Sequence, residues 1–281
     1  MKAKDRLTIG LPDGAHIRKL TFDLLQSGGM NVDGYNPNSP TRKYKTFLVL
    51  PSGAECDVIV DKPRDLLTLP VMPDLIITGE DYLQDYGLFF YNTPNNHPIR
   101  NYPFPESGHI DLKHLGYFGT QLFFMIAETS PYNSLEQLLI ERKKVICYSE
   151  FTRTAAYYIM RSEAYTKRYG YSSPTILSSF SSGGTNKDVQ IFYSNGSTES
   201  KAANNPDVLI LELALTGKSA KDNNLKILDK VGDKIFTCIY RSGNLDSRKQ
   251  HDTATDFIEL LESTVKKHYD IYVVENKIIT N

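Results

Sequence analysis

Short apolar runs alternate with amphipathic stretches along almost the whole chain. Leu7-Thr8-Ile9-Gly10-Leu11 predicts a first strand, ended by Pro12-Asp13-Gly14. Residues 16–27 predict a helix with Leu20, Leu24 and Leu25 on one face and Gly28-Gly29 closing it. Further strands are predicted around Phe47–Leu50, Cys56–Val60 and Asp74–Gly79, the last with Glu80-Asp81 opening the next helix. Leu122–Ala127 predicts a central strand, and Ser134–Glu141 a helix with Ser134 as its cap. Val145–Cys147 reads as a short strand feeding a helix over Tyr148–Met160. Val189–Tyr193, Val208–Leu211 and Lys234–Tyr240 predict strands, and Thr255–His268 an amphipathic helix of Phe257, Ile258, Leu261 and Val265. Two stretches break the pattern. Residues 92–109, rich in Asn, Pro and His, predict a surface insertion, and 168–188, with clustered Gly, Ser and Thr, a mobile loop. Strands alternating with helices predict parallel sheets and an α/β fold.

The stretch 207–225, DVLILELALTGKSAKDNNL, concentrates the chemistry. Its apolar run Val208–Leu211 has the pattern of a strand buried on both faces. Glu212 follows, then the small polar turn Thr216-Gly217-Lys218-Ser219, and Ala220–Leu228 reads as a helix. Strand, glycine turn and helix start make an anion cradle, because backbone N–H groups and the helix dipole converge there. A carboxylate just ahead of the cradle suits sugar hydroxyls, so the order describes a ribose 5-phosphate site. Gly217-Lys218-Ser219 also resembles the end of a Walker A loop, but that motif needs glycine where Glu212 stands. The bland alternative is an ordinary turn in which Ser219 only caps a helix.

Composition narrows the class without choosing a function. The 281 residues suffice for two modest domains, and 40% hydrophobic with 23% charged residues predicts a soluble globular protein. A net charge of -1 offers nothing to nucleic acid or an anionic membrane, and no apolar run is long enough to span a bilayer. Six scattered His and three scattered Cys (Cys56, Cys147, Cys238) have neither metal nor disulfide spacing. Free thiols, and a start at Met1-Lys2-Ala3-Lys4 that is no secretion signal, predict a cytoplasmic protein.

Several segments, in order over residues 7 to 248, together resemble the ATP phosphoribosyltransferases of histidine biosynthesis. The family's opening strand and Pro-Lys-Gly turn look like Leu7–Gly14, its Ser-x-Arg segment like Ser39 to Arg42 with one extra residue, and its Asp-Leu-Gly-Ile-Thr-Gly strand like Asp74–Gly79. Its Tyr-Pro-Asn-Leu-Thr-Arg segment resembles Tyr148–Arg153, and its Gly-Ser-Val-Glu turn Gly196–Glu199. Its phosphoribosyl loop resembles Glu212 to Ser219, trailed by Asn224-Leu225. Departures fall on the acceptor side. Asp13 stands for the usual Lys, Ala15-His16 for Arg-Leu, and Thr120-Gln121 for Cys-Arg, which removes charge that would hold a polyphosphate.

The resemblance implies a two-lobed, type II periplasmic-binding-protein-like α/β fold, with mixed, mainly parallel sheets and the active site in the interlobe cleft. Residues 1–123 plus 233–281 would form the acceptor lobe, and 124–232 the lobe with the phosphoribosyl pyrophosphate loop. The implied reaction transfers 5-phosphoribose from phosphoribosyl pyrophosphate to a nucleotide or base nitrogen, with Mg2+. A different heterocyclic acceptor and a non-catalytic small-molecule binding protein are the alternatives. Glu199 and Glu212 are the implied catalytic residues, and Glu212, Leu215, Thr216, Gly217, Lys218 and Ser219 the donor-binding ones. Pro12, Asp13, Gly14, Arg42, Asp74, Thr78, Gly79, Tyr148 and Arg153 are implied on the acceptor side. A homodimer is expected. The chain ends soon after Lys277, too early for the family's regulatory C-terminal domain, so inhibition by histidine is expected to need a separate regulatory subunit.

Overall fold

A computed structural model describes residues 6–38, 44–91, 112–178, 182–214, 218–242, 245 and 247–268. The chain begins with β1 (Thr8–Pro12), α1 (Ala15–Ser27), β2 (Asn31–Val32), β3 (Lys45–Val49), β4 (Glu55–Asp61), α2 (Pro63–Leu66), β5 (Leu75–Gly79) and α3 (Glu80–Tyr91). It continues with β6 (Leu112–Ala127), α4 (Leu135–Glu141), β7 (Val145–Ser149), α5 (Thr152–Arg161), α6 (Glu163–Tyr169), β8 (Pro174–Leu177) and β9 (Ser182–Gly183). The last elements are β10 (Asn186–Tyr193), α7 (Thr198–Ala203), β11 (Val208–Ala214), α8 (Lys218–Asp222), β12 (Leu225–Arg241) and α9 (Arg248–His268). Two compact units result: Met1–Leu83 with Phe104–Gly119 and Phe236–Asn281, and Gln84–Pro103 with Thr120–Ile235.

In the first unit the strand order is β2-β3-β4-β1-β5-β12. β1 lies parallel to both β4 and β5, while Thr237–Arg241 of β12 runs antiparallel to β5. Every residue of β1 and β5 is buried, as uninterrupted apolar runs require. Leu24 and Leu25 of α1 and Phe257, Leu261 and Val265 of α9 pack with β1 in one core. The predicted helix over 16–27 is present, and Gly29 after it takes a positive φ of 73°.

In the second unit the order is β6-β11-β7-β10-β8-β9, with β11, β7, β10 and β8 mutually parallel and β6 antiparallel to β11. Val208–Leu211 is buried throughout, as its pattern predicts. Ser134 caps α4 by accepting the Gln137 N–H at 3.1 Å.

Three local expectations are overturned. The helix expected over Tyr148–Met160 starts only at Thr152, because Tyr148 and Ser149 pair with Ile210 and Leu211 as strand. The Ser149 hydroxyl then stops that strand by accepting the Phe151 N–H and donating to the Leu211 carbonyl. The helix expected over Ala220–Leu228 is the five-residue α8, since Asn224 turns left-handed at φ 53° and Leu225 enters β12. The loop expected over 168–188 contains the end of α6, β8, β9 and the start of β10. Asn186 joins them, donating to the Tyr165 hydroxyl while its carbonyl accepts from Thr175. Gly184, at φ 103°, passes so close to the Pro174 carbonyl that no side chain fits. The surface insertion expected over 92–109 lies outside the described residues.

Candidate functional site

The parallel strands β7 and β10 of the second unit end in segments that each lead into a helix start, at Glu150-Phe151 and Ser194–Ser197, and β11 is followed in the chain by α8. Ligands of parallel α/β sheets sit at such carboxyl ends. Glu212 lies here inside β11, opposite Phe123 of β6, and its Oε1 accepts the Leu213 N–H at 3.1 Å. Burial pushes its carboxyl up to about 7, and the nearby charges of Glu199 and Glu150 push the same way. Hydrogen bonds from the Leu213 N–H and the Thr198 side chain pull in the opposite direction. Two further carboxylates therefore act on one half-buried carboxylate, from α7 and from the turn after β7. Near neutral pH this group can accept from two hydroxyls when ionised, or hold a proton.

Thr198 is buried at the start of α7, with Ser197 before it in the left-handed region at φ 50°. Its Oγ1 donates to Ser194 Oγ at 3.3 Å, just beyond the end of β10. Tyr148 belongs to β7, stacks on Phe192 at 5.2 Å and 26°, and has the Lys201 ammonium 5.2 Å from its ring centroid. Arg153 is buried in the first turn of α5, where its guanidinium pairs with Asp85 at 3.4 Å. The same carboxylate accepts the Arg153 and Thr154 N–H groups at 2.8 and 3.0 Å, so Asp85 caps α5 from α3. Ser219 is exposed in α8 and Lys218 opens that helix. Leu215, Thr216, Gly217 and the Lys218 side chain lie outside the described residues, as do Ser39 and Arg42.

In the first unit Pro12, Asp13 and Gly14 lie at the carboxyl end of β1, Thr78 and Gly79 at that of β5, and Asp74 just ahead of the amino end of β5. Pro12 ends β1, and its carbonyl accepts from the Tyr35 hydroxyl at 2.7 Å. Asp13 pairs with Arg18 at 3.0 Å, both side chains nearly buried, and Gly14 precedes α1. Burial, reinforced by the Asp13 charge, drives the Tyr35 phenol well above its usual range. Asp74 accepts the Thr8 N–H at 2.7 Å. Thr78 is buried opposite Cys238, and its hydroxyl makes no hydrogen bond. At Gly79 a side chain would collide with the Asp81 carboxylate, which folds back over it, while Glu80 accepts the Phe236 N–H at 2.7 Å.

Sequence reasoning passed over Glu150, Ser194, Thr198, Asp85 and Arg18. Glu150 and Thr198 sit inside segments it quoted, so a signal existed. Ser194, Asp85 and Arg18 carried none, being ordinary polar residues until the chain folds.

The model of one family, described as ATP phosphoribosyltransferase, matches residues 72–266. The chain belongs to the ATP phosphoribosyltransferase family. The matched span contains Asp74, Thr78, Gly79, Tyr148, Arg153, Glu199 and Glu212 through Ser219, and begins after Pro12, Asp13, Gly14 and Arg42. Among solved structures, the ATP phosphoribosyl transferase (HisG:HisZ) complex from Thermotoga maritima is similar at 16% identity and TM-score 0.53, over 93% of this chain and 99% of that one. XAC2383 from Xanthomonas citri bound to ATP follows at 8% identity and TM-score 0.50, over 95% and 90%. The arginine-, lysine-, histidine-binding protein ArtJ from Geobacillus stearothermophilus is also similar, at 10% identity and TM-score 0.46, over 93% and 90%. No curated protein sequence matches significantly. The fold is α/β of the type II periplasmic-binding-protein class. Among the described residues no helix is long and apolar enough to cross a membrane.

Proposed function

We propose that this chain transfers 5-phosphoribose from phosphoribosyl pyrophosphate to a ring nitrogen of ATP or a related heterocycle. The observation that carries the reading is Glu212, half-buried near the end of β11 and just ahead of residues 215–219 in the chain, with Glu199 and Glu150 acting on it. Ionised, Glu212 accepts from the ribose 2- and 3-hydroxyls, and backbone N–H groups of residues 215–219 take the 5-phosphate. The C1–O bond to pyrophosphate breaks with its electron pair leaving on oxygen. The acceptor ring nitrogen bonds to C1 with its lone pair, the positive charge this places on an adenine ring is discharged by loss of an exocyclic amine proton to water, and Glu199 is the carboxylate assigned to the nucleotide side. Positive charge grows on the ribose ring as the bond breaks, so carboxylates nearby favour that state.

Among the described residues no group of three or more His, Cys, Asp or Glu side chains can hold a metal ion. A Mg2+ ion would be held by few protein carboxylates and mostly by the pyrophosphate and water, and would supply charge neutralisation of the leaving group. Pro12, Asp13, Gly14, Arg42, Asp74, Thr78, Gly79, Tyr148 and Arg153 are assigned to the acceptor. The Asp13–Arg18 pair neutralises the basic charge described at that strand end, which favours an acceptor less anionic than ATP as the second reading. A cytoplasmic homodimer completes the proposal. The Thermotoga maritima relative, solved as a two-component complex, supports a separate regulatory subunit.

The test follows pyrophosphate release from phosphoribosyl pyrophosphate and Mg2+ with a panel of nucleotides and bases. We expect turnover with one acceptor class, and loss of donor binding in Gly217→Val, whose branched side chain fills the phosphate turn. Donor binding without turnover on any acceptor would leave a binding protein instead. Unchanged calorimetric affinity in a folded Gly217→Val would overturn the donor site.

A further inference from the structure

Each unit buries an arginine where a parallel strand hands over to a helix. In the first unit β1 lies parallel to β4 and β5, and α1 starts just after it. Arg18, in the first turn of α1, is 6% exposed, and its Nη1 donates to the Asp13 carboxylate at 3.0 Å and the Asp13 carbonyl at 3.4 Å. In the second unit β7 lies parallel to β10 and β11, and α5 follows it. Arg153, 8% exposed, donates to Asp85 at 3.4 Å, and that carboxylate also accepts the Arg153 and Thr154 N–H groups at 2.8 and 3.0 Å. Such strand ends and helix starts bind ligand anions in parallel α/β units, and a guanidinium suits an oxyanion. Here the chain's own aspartates stand in those places. Asp85 meets α5 as a bound phosphate would, with its charge on the helix dipole and backbone N–H groups aimed at its oxygen. Neither helix has a capping hydrogen bond from its own N-cap side chain. Spare donors remain in both turns, since Arg18 Nε and the hydroxyls of Thr152 and Thr154 are buried with no hydrogen-bond partner.

We propose that Asp13 and Asp85 are specificity-determining residues that close these two anion positions, so that the acceptor is an uncharged heterocyclic base and not a nucleotide polyphosphate. The acceptor class rests on the phosphoribosyl-transfer reading, whereas the closure of the two positions does not. Each Asp–Arg pair sums to zero charge in a buried setting. A polyphosphate entering there meets a carboxylate in place of a free guanidinium, and displacing that carboxylate strands its charge away from water. A neutral ring carries no such penalty. Removing either aspartate reverses the balance, because the guanidinium is then buried without a counter-ion and an oxyanion from solution can supply one.

The closure is tested without any donor. Calorimetry with inorganic tripolyphosphate should find one more bound anion in Asp13→Ala, and in Asp85→Ala, than in the native chain. Adding Arg18→Met to the first variant, or Arg153→Met to the second, should abolish the extra site. Where an alanine variant does not fold alone, tripolyphosphate should restore its folded circular dichroism, and the matching Asp→Asn variant, which keeps an acceptor oxygen for the helix, takes over the calorimetry. A folded variant with no extra anion overturns the closure at that position. The acceptor class is read from pyrophosphate release with phosphoribosyl pyrophosphate and Mg2+. In the native chain kcat/KM should be at least about tenfold higher for uncharged bases than for ATP, and either alanine variant should raise the ATP value about tenfold. A native preference for ATP, unmoved in the variants, overturns the acceptor class. Extra anion sites with no turnover on any acceptor overturn the phosphoribosyl reading and leave the closure supported.

Discussion

The two units differ in how the acids that flank their strands are used. In the first unit the acids have evident structural work. Asp13 pairs with Arg18, Asp74 holds the Thr8 N–H, Glu80 holds the Phe236 N–H, and Asp81 folds back over Gly79. In the second unit Glu212 is half-buried with two more acids acting on it, and its carboxyl is displaced to about 7. Structure-building acids and a perturbed acid look alike in sequence, since each is one Asp or Glu after an apolar run. A carboxylate whose surroundings penalise its charge marks a candidate site, and a satisfied one marks a scaffold.

The comparison breaks most visibly through Arg18. Removing one partner of a buried pair leaves the other charge stranded, so Arg18→Met should destabilise the fold by roughly 3–5 kcal/mol, read from denaturant midpoints. The double variant with Asp13→Leu should recover most of that loss. A near-neutral Arg18→Met would mean that Asp13 is not held for structural reasons.

Glu212 sharpens the other side with a smaller effect. Its folded pKa lies above the ordinary value of 4.5, so the folded chain holds a proton that the unfolded chain releases. The stability this contributes is complete below about 4.5 and is lost as pH rises through about 7. Glu212→Gln should therefore be more stable than the native chain at pH 8 by about 1–3 kcal/mol, with that gain absent at pH 4. Equal gains at both pH values would mean that the charge is not what the site resists.

The smallest effect concerns the thiols. Cys56, Cys147 and Cys238 are all buried, and burial raises each thiol, Cys56 up to about 12. Thiolate is the reactive form, so a thiol reagent at pH 8 should label none of them in native protein within the time that labels all three in denaturant. Rapid labelling of one in native protein would reveal local opening around it.

Much of the fold was legible along the chain. Apolar runs such as Leu7–Leu11, Asp74–Gly79 and Val208–Leu211 can only be buried strands, and the 16–27 periodicity only a helix face. Errors cluster where a residue's state depends on a strand far away. Tyr148 reads as helical, yet it is strand because Ile210 and Phe192 flank it across the sheet. Leu225–Leu228 has a helical look, but Asn224 turns the chain and β12 claims it. Pairing between strands is non-local, and local propensity of a kcal/mol or less yields to it.

The same division runs through the candidate site. The order of an apolar strand, Glu212 and a small polar turn is a local pattern, and the sequence alone determined it, along with the segments that carry Glu150, Thr198 and Glu199. Only the tertiary structure decided which of these acids is perturbed and which hydroxyl answers it. Desolvation and Coulomb interaction depend on distance through space, and β7, β10 and β11 bring together residues separated by dozens of positions in the chain.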